Sequence, residues 1–371
     1  MSDDSSIQRI ARLTPLGAVL TLIESRIEPV RPQSWRLIRA YGRTLAEDAV
    51  AFERPVRPIA LRDGFAVEAA AVGDASPYAP VALPASSGRI EVGQPMPAAT
   101  DAVLPLDAVV LRGDRAEAVA AVAPGEGVLA PGGDAPANTL LRRAGEQIRA
   151  VDVAAMHAAG LAGVSVREPR ISVALGGTAG SSALDAAGAT LIGLISTAGG
   201  TVPHGLVSLE AALADAQTDA IVAVGGTGSG PSDRAVNMLA RQGRLDVHGI
   251  AVSPGETAAL GFSGTRPVLL IPGRLDATLA IWLLLGRHLL ARLAGGRVED
   301  RAATLPLKRK VTSTIGLTEL MPVSAAGGFA EPLASGYLSL TALAHSDGWI
   351  VVPAESEGFA AGMPIAVTPW P

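Results

Sequence analysis

The spacing of apolar positions predicts a helix near the start of the chain. Thr14 and Pro15 are typical of an N-cap followed by a proline at the first helical position. The apolar residues that follow recur at helical spacing, at Leu16, Val19, Leu20, Ile23 and Ile27. From about Val50 to Leu140 the chain consists of short apolar runs broken by Pro and Gly, which indicates β structure with many turns.

The next part of the chain alternates between strand-like and helix-like segments. The predicted strands are ISVAL, DAIVAV and RPVLLIP, and the predicted helices are SLEAALADA, DRAVNMLARQ and DATLAIWLLLGRHLLARL. This order predicts an open parallel α/β sheet, whose ligands bind beyond the carboxyl ends of the strands. Three loops follow strands at that edge, with the sequences GGTAGSS, GGTGSGPSD and PGRLD. After residue 305 the pattern returns to β, with strands in KRKVTST, ELMPVS and GWIVVP.

The loop from Gly225 to Asp233 is the first candidate for a ligand site. Its glycines let a ligand approach the backbone closely, above all at Gly228 and Gly230, and free N–H groups in the first turn of the following helix favour an anion. The loop has neither the lysine of a Walker A sequence nor the spacing of the dinucleotide fingerprint. Two interpretations stay open at this point: a phosphate site, or a tight turn in which Ser232 or Asp233 caps the helix.

Composition narrows the classes of partner. A net charge of −5 and an aromatic content of 3% argue against nucleic acid, and the absence of cysteine excludes thiolate chemistry. The start of the chain is acidic where a secretory signal would be basic and then apolar. The most apolar stretch, residues 279–290, contains Gly286, Arg287 and His288 and is shorter than the ~20 apolar residues that cross a bilayer. We therefore expect a cytoplasmic protein without a membrane partner.

Six segments, in order, resemble the motifs of one family. They are RDGFAV (62–67), EVGQPMPAATDAVLPLDAV (91–109), LLRRAGEQI (140–148), GGTGSGPSD (225–233), AVSPGETAALG (251–261) and LLIPGRLDA (269–277). The corresponding family patterns include M-D-G-Y-A-V, V-R-x-x-G-E-D-I, G-G-V-S-x-G-x-x-D and L-P-G-N-P. The chain thus resembles the MoeA family, the molybdopterin molybdenumtransferases that include the gephyrin E-domain.

This resemblance implies an elongated α/β multidomain protein of four structural parts. They are a helical linker domain (1–48 and 135–168), a β-rich insert (49–134), an α/β domain (169–297) and a C-terminal β domain (298–371). Its open parallel α/β domain would be MogA-like and would be accompanied by the β-rich insert and the C-terminal β domain. The family forms homodimers whose site lies between the α/β domain of one subunit and the insert of the other. There it binds adenylylated molybdopterin, inserts molybdate with Mg²⁺, and releases AMP and molybdenum cofactor.

The resemblance also implies site residues. Asp63 and Asp233 become candidate catalytic residues and candidate Mg²⁺ ligands, because Mg²⁺ prefers carboxylate oxygens. Asp63 is equally well interpreted as a turn residue before Gly64, and Arg274 either as a bidentate phosphate clamp or as a surface cation. The candidate residues for binding molybdopterin or adenylyl-molybdopterin are Gly225, Gly226, Thr227, Gly228, Ser229, Gly230, Ser232, Pro254, Gly255, Pro272, Gly273 and Arg274.

Several charged or polar positions depart from the family pattern. Val92 replaces a threonine, Gln147 an acidic residue, and the first glycine-rich loop lacks its usual carboxylate. Ser253 and Glu256 replace two lysines and Arg274 replaces an asparagine, so the formal charge falls by 2. Because molybdate is a dianion, a site with this more negative charge should bind it less well than the family pattern would.

We therefore hypothesise a MoeA-like protein of molybdenum cofactor biosynthesis that binds molybdopterin species but inserts molybdate weakly. Two alternatives are an active molybdotransferase with a rearranged site and a non-catalytic chaperone or scaffold for a client molybdoenzyme. The sequence does not identify the client or distinguish molybdenum from tungsten.

Overall fold

The computed structural model describes residues 8–113, 115–177, 182–230 and 233–371. The α-helices in these ranges are α1 (Leu16–Arg26), α2 (Ala150–Ala158), α3 (Ser182–Thr197), α4 (Leu209–Ala214), α5 (Ala235–Gln242), α6 (Leu275–Ile281), α7 (Arg287–Leu293) and α8 (Leu340–Ala344). A π-helical turn, Trp282–Gly286, joins α6 to α7, and short 3-10 helices lie at Leu37–Arg39, Ala69–Val72, Leu106–Ala108 and Ala326–Gly328. None of the described helices has the length and apolar character that a membrane crossing requires.

The strands fall into three stretches of the chain. The first contains β1 (Gln33–Arg36), β2 (Thr44–Leu45), β3 (Ala49–Val50), β4 (Ile59–Ala60), β5 (Gly64–Val67), β6 (Val81–Ala82), β7 (Gly88–Ile90), β8 (Ala102–Pro105), β9 (Val109–Arg112), β10 (Arg115–Ala118), β11 (Val128–Leu129) and β12 (Leu140–Arg142). The second contains β13 (Gly163–Arg167), β14 (Ile171–Leu175), β15 (Leu206–Ser208), β16 (Ala220–Val224), β17 (Arg244–His248), β18 (Val252–Ser253), β19 (Ala259–Ser263) and β20 (Arg266–Ile271). The third contains β21 (Ala303–Pro306), β22 (Val311–Thr312), β23 (Thr318–Ser324), β24 (Glu331–Pro332), β25 (Gly348–Val352), β26 (Gly358–Phe359) and β27 (Pro364–Pro369).

The largest α/β unit is a six-stranded sheet with the order β15-β14-β16-β20-β19-β17. The first four strands are parallel, and β19 runs antiparallel to both β20 and β17. The predicted strands β14, β16 and β20 are confirmed, whereas the antiparallel extension was not predicted. The α/β multidomain class is therefore confirmed, with a mixed rather than purely parallel sheet.

Helices cover both faces of this sheet, which explains why its central strands are continuous apolar runs. Every residue of β16 is buried, and its side chains alternate between two cores. Val222 joins the core formed with α3 and α6, whereas Ile221 and Ala223 join the core formed with α4 and α5. The predicted helix over residues 276–293 spans α6, the π turn and α7. Within it, a Cβ added at Gly286 would collide with the Trp282 ring.

Helix α1 packs on α7 through Val19 and Ile23, as its helical spacing predicts. Its predicted N-cap is wrong, because the helix begins one residue later, with Pro15 as N-cap. Thr14 instead pairs with the chain near Ile250, where its N–H donates to Gly249 and its carbonyl accepts from Ala251. The residues before α1 are thereby held against the α/β unit.

Small sheets make up the rest of the chain. Residues 59–129 contain the sheets β7-β5-β8, β6-β10-β9 and β4-β11, as the turn-rich pattern predicts. The C-terminal sheet has the order β18-β23-β25-β27-β21, with β24 beside β23. Strand β18 belongs to the α/β part of the chain and directly precedes the loop at residues 254–257. Its pairing with β23 therefore joins the α/β part to the C-terminal part. The four domain boundaries given above stay a prediction.

Candidate functional site at the carboxyl edge of the sheet

The loops after β14, β16 and β20 meet at one edge of the central sheet. The N–H of Gly225 donates to the carbonyl of Ile271 at 2.8 Å, and a Cβ added at Gly273 would lie 3.3 Å from the Cα of Gly225. Gly225 and Gly226 have φ values of +90° and +72°, which favour glycine. A Cβ at Gly226 would also collide with the carbonyl oxygen of Gly176. Glycine is thus needed where these loops cross.

A fourth segment, residues 254–257, contacts the glycine-rich loop from the other side. The hydroxyls of Thr227 and Thr257 lie 2.8 Å apart, and Nε2 of His248 lies 3.1 Å from the Thr227 carbonyl. Pro254 and Gly255 are buried, and a Cβ at Gly255 would lie 2.7 Å from Cδ1 of Ile281. Sequence reasoning missed Thr257 and His248. The position of Thr257 directly after the P-G-E motif could have indicated it.

The glycine-rich loop carries a run of unbonded amides. The N–H of Gly230 donates to the Asp233 carboxylate at 3.0 Å, and that of Ala235 to the Gly226 carbonyl at 3.0 Å. Within the described ranges, the four N–H groups of residues 226–229 have no acceptor. Burial increases along this run from the exposed Ser229 to the fully enclosed Gly226 and Thr227. Successive free N–H groups in a glycine-rich loop are typical of an anion-binding concavity.

Two of the N–H groups predicted as free donors at the start of α5 already have acceptors. The N–H groups of Ala235 and Asn237 in the first turn of α5 are satisfied by the Gly226 carbonyl and by the side chain of Gln8. The interpretation of Asp233 as the cap of α5 is wrong, because the N-cap is Arg234 and it makes no side-chain cap. Asp233 closes the loop onto Gly230 instead. Ser232 lies outside the described residues.

The two candidate carboxylates have separate structural partners. Asp63 is exposed at the start of β5, where Oδ1 accepts the Val92 N–H at 2.8 Å. This contact fits the turn interpretation of Asp63. In the described part of one chain, no three His, Asp or Glu side chains form a group that could hold a metal ion. Mg²⁺ is usually held by one or two carboxylates together with waters and substrate phosphates, but Asp63 and Asp233 each already accept a backbone N–H, from Val92 and from Gly230.

Arg274 is engaged by neighbouring groups. Its Nε and Nη2 donate to the two carboxylate oxygens of the buried Asp276 at 3.0 and 2.6 Å. The guanidinium carbon lies 5.2 Å from the centroid of the Tyr337 ring. The Asp276 hydrogen bonds raise the pKa of Arg274. Because Asp276 neutralises this cation, only the remaining edge of the guanidinium is available as a phosphate clamp.

Three family models together match most of the chain. The MoeA N-terminal region (domain I and II) matches residues 14–160, and the MoeA C-terminal region (domain IV) matches residues 304–370. A "Probable molybdopterin binding domain" matches residues 181–292, which contain the loops described above from residue 225 onward.

The chain belongs to the MoeA family.

Similarity to known proteins supports the assignment to the MoeA family. A crystal structure of a molybdopterin biosynthesis MoeA protein of Pyrococcus horikoshii aligns with a TM-score of 0.75 and 26% identity, covering 96% of this chain and 99% of that one. Molybdopterin molybdenumtransferase 1 of Mycobacterium tuberculosis is 28% identical over 321 residues, or 75% of this chain and 73% of that protein. A Methanocaldococcus jannaschii protein assigned to molybdopterin biosynthesis is 27% identical over 146 residues. That match spans 39% of this chain and 35% of the archaeal protein's length.

The two positions that carry lysine in the MoeA pattern are not equivalent. Ser253 is buried in β18 and pairs in register with Glu319 of β23. The buried carboxylate of Glu319 accepts hydrogen bonds from Ser313, Ser335 and the N–H of Gly336. Glu256 is half-buried, and its own carboxylate accepts the N–H of Gly255 at 3.1 Å. The Glu256 carboxylate thus already accepts a hydrogen bond from one backbone N–H of this loop.

Gln147 lies in a different place, beside a cavity of about 460 Å³. The cavity is lined by Arg142, Gln147, Thr197, Trp282 and Arg287, among others. The Gln147 side-chain amide donates to the carbonyls of Gly42 and Thr197 at 2.8 and 3.0 Å. It therefore links the segment after the first 3-10 helix to the end of α3.

We expect Gln147→Asp to destabilise this junction rather than restore family chemistry. A carboxylate at neutral pH only accepts hydrogen bonds, so it would face two carbonyl oxygens without a donor. Because Gln147 is exposed, the expected loss in the free energy of unfolding is that of ordinary hydrogen bonds, about 0.5 to 1.5 kcal/mol. Urea denaturation of Gln147→Asp and Gln147→Ala measures it, and a Gln147→Asp protein as stable as the unmodified one would contradict the donor role.

Proposed function

We propose that this MoeA-family chain binds molybdopterin, or its adenylylated form, through the loop at residues 225–230, and inserts molybdate inefficiently. The binding proposal rests on the N–H groups of residues 226–229, which have no acceptor among the described residues and lie beside the carboxyl ends of parallel strands. Such donors suit the phosphate of the pterin cofactor, because each N–H gains a charge-assisted hydrogen bond to a phosphate oxygen. The molybdopterin-binding description of the matched domain supports the same ligand.

The proposal of weak insertion rests on the charges around the neighbouring loops. The carboxylate of Glu256 lies on the N–H of Gly255, and the charge of Arg274 is balanced by Asp276. An incoming dianion would meet one uncompensated carboxylate and no free cation among these three side chains. We infer that molybdate is held poorly even when the pterin is bound.

An active molybdotransferase with a rearranged site is the second candidate. The similarity to the Mycobacterium tuberculosis molybdopterin molybdenumtransferase over 321 residues favours it. The catalytic residues of such a site would differ from the family pattern at Ser253 and Glu256. The two candidates differ in turnover and not in pterin binding, so an insertion assay separates them.

The binding proposal is tested on the purified protein. Mass spectrometry of small molecules released on denaturation should detect a molybdopterin species, and calorimetric titration of the emptied protein with molybdopterin should give saturable binding. A protein that releases no pterin and binds none on titration would refute the proposal. A client molybdoenzyme, if one exists, would be identified in the same preparation by protein mass spectrometry.

We further propose that the chain acts in the cytoplasm as a homodimer, because the family site combines the α/β domain of one subunit with the insert of the other. Large apolar side chains are exposed between residues 38 and 56, where a partner would cover them; they include Ile38 (79%), Phe52 (68%) and Val56 (68%). Light scattering at micromolar concentration should give twice the chain mass of 37.5 kDa. A mass of one chain would remove the shared site.

A further inference from the structure

A glutamine from the start of the chain reaches the glycine-rich loop. Gln8 is only 6% exposed, and its Nε2 donates to the carbonyls of Gly226 and Gly228 at 3.2 and 2.7 Å. Its Oε1 accepts the N–H of Asn237 at 3.0 Å. The partners fix the orientation of the amide, since carbonyls only accept and an N–H only donates. Gln8 thus connects the loop to the first turn of α5.

Because the peptide bond is planar, these contacts also fix the direction of the N–H groups on the opposite side of the loop. In a trans peptide the C=O of one residue and the N–H of the next point in opposite directions. Holding the carbonyls of Gly226 and Gly228 toward Gln8 therefore turns the N–H groups of Thr227 and Ser229 away from it. His248 holds the intervening Thr227 carbonyl at 3.1 Å.

Without such restraints the glycine-rich loop could rotate its peptide planes at low cost, because glycine accepts φ values of either sign. The carbonyl of Gly226 has a second donor in the N–H of Ala235. The carbonyl of Gly228 has no donor other than Gln8 among the described residues. Rotation of the peptide between Gly228 and Ser229 would point a carbonyl oxygen toward the position of the phosphate and remove one of its donors.

We propose that Gln8 is a positioning residue that keeps the amides of Thr227 and Ser229 directed at the phosphate of the bound ligand. This inference rests on the proposed function, since it assigns a role in the same site. It predicts that Gln8→Leu, which preserves side-chain bulk but not hydrogen bonding, weakens molybdopterin binding about tenfold or more, the effect of one lost charge-assisted contact. Ile10→Ala is the matched control, because Ile10 lies in the same N-terminal segment, packs against Gly249 and has no hydrogen-bonding group in its side chain.

Gln8→Glu adds a readout that packing alone would not change. An ionised glutamate faces two carbonyls with no donor, whereas a protonated one donates one O–H and accepts the Asn237 N–H as glutamine does. The affinity of Gln8→Glu relative to the unmodified protein, measured with molybdopterin between pH 8 and pH 5, should therefore rise as the pH falls. Gln8→Leu should show a ratio that does not depend on pH.

The possible results distinguish a failure of the positioning role of Gln8 from a failure of the proposed molybdopterin binding. If the unmodified protein binds no molybdopterin, the proposed function fails and the role of Gln8 fails with it. If the unmodified protein binds but Gln8→Leu binds equally well or more tightly, only the positioning role is overturned. The expected result is weaker binding in Gln8→Leu, near-normal binding in Ile10→Ala and pH-dependent recovery in Gln8→Glu.

Discussion

Gly226→Ala should abolish molybdopterin binding while most of the α/β fold is retained. The added methyl would collide with the carbonyl oxygen of Gly176 and would lie 3.0 Å from the Cβ of Ala235, at a residue whose φ is +72°. The loop can relieve this only by rotating the peptide planes that carry its free N–H groups. Loss of two charge-assisted contacts, each worth about 1.5 to 3 kcal/mol, corresponds to more than about 100-fold in affinity.

A graded set of glycine variants keeps this test specific. Gly264→Ala is the matched control, because Gly264 has a φ of +63° in the turn between β19 and β20 and has open space around it. It carries a similar backbone cost of about 1 kcal/mol or more without touching the site. Gly228→Ala should have an intermediate effect, since its Cβ would meet only the movable carboxylate of Asp233, at 2.7 Å. Equal pterin affinity for Gly226→Ala and Gly264→Ala, by calorimetry, would mean that the loop is an ordinary turn.

Restoring charge at residue 256 should strengthen molybdate binding more than restoring it at residue 253. Glu256→Lys removes the carboxylate from the N–H of Gly255 and introduces a cation there. Ser253→Lys would introduce a lysine at the position that pairs with Glu319 of β23. The buried Glu319 carboxylate would then compensate the new charge. Most of the loss of oxyanion affinity relative to the family pattern therefore comes from residue 256, where one missing charge-assisted contact of ~1.5 to 3 kcal/mol corresponds to about 10- to 100-fold.

The comparison is made by titrating molybdate into the pterin-loaded protein. Glu256→Lys should raise molybdate affinity by about tenfold or more, and the double variant with Ser253→Lys by little beyond that. Glu256→Gln separates removal of the anion from addition of the cation. If Ser253→Lys alone gave the larger gain, Ser253 and not Glu256 would face the molybdate position, and the neutralising role of Glu319 would be wrong.

Much of the fold follows from local sequence patterns, and the exceptions have physical reasons. Fully apolar runs such as DAIVAV predict strands covered on both faces, and Pro and Gly predict the turns of the insert. The antiparallel strands β17 and β19 were missed because each is only five residues long. RLDVH alternates polar and apolar residues and could have indicated a strand, whereas ALGFS carries no clear alternation. The start of α1 was misplaced because Thr14 makes a long-range pairing with the region of Ile250 instead of a local cap.

The site was predictable where motifs lie close in sequence and unpredictable where the chain returns from far away. The loops at Gly225 and Gly273 were expected at one edge because they follow neighbouring strands. Gln8 lies 218 residues before Gly226, and no motif or periodicity marks it. Asp276 lies only two residues after Arg274, so the sequence could have indicated this ion pair. It cannot show that Gln147 donates to carbonyls of two separate segments, because these partners depend on tertiary packing.

We propose that this MoeA-family protein binds molybdopterin species but inserts molybdate poorly. One measurement addresses it directly: the unmodified protein is incubated with adenylylated molybdopterin, Mg²⁺ and micromolar molybdate, and both the retained pterin and the activity of a reconstituted apo-molybdoenzyme are quantified. We expect saturating retention of pterin with little active cofactor. Robust cofactor formation at micromolar molybdate would contradict it and would identify the chain as an active molybdotransferase.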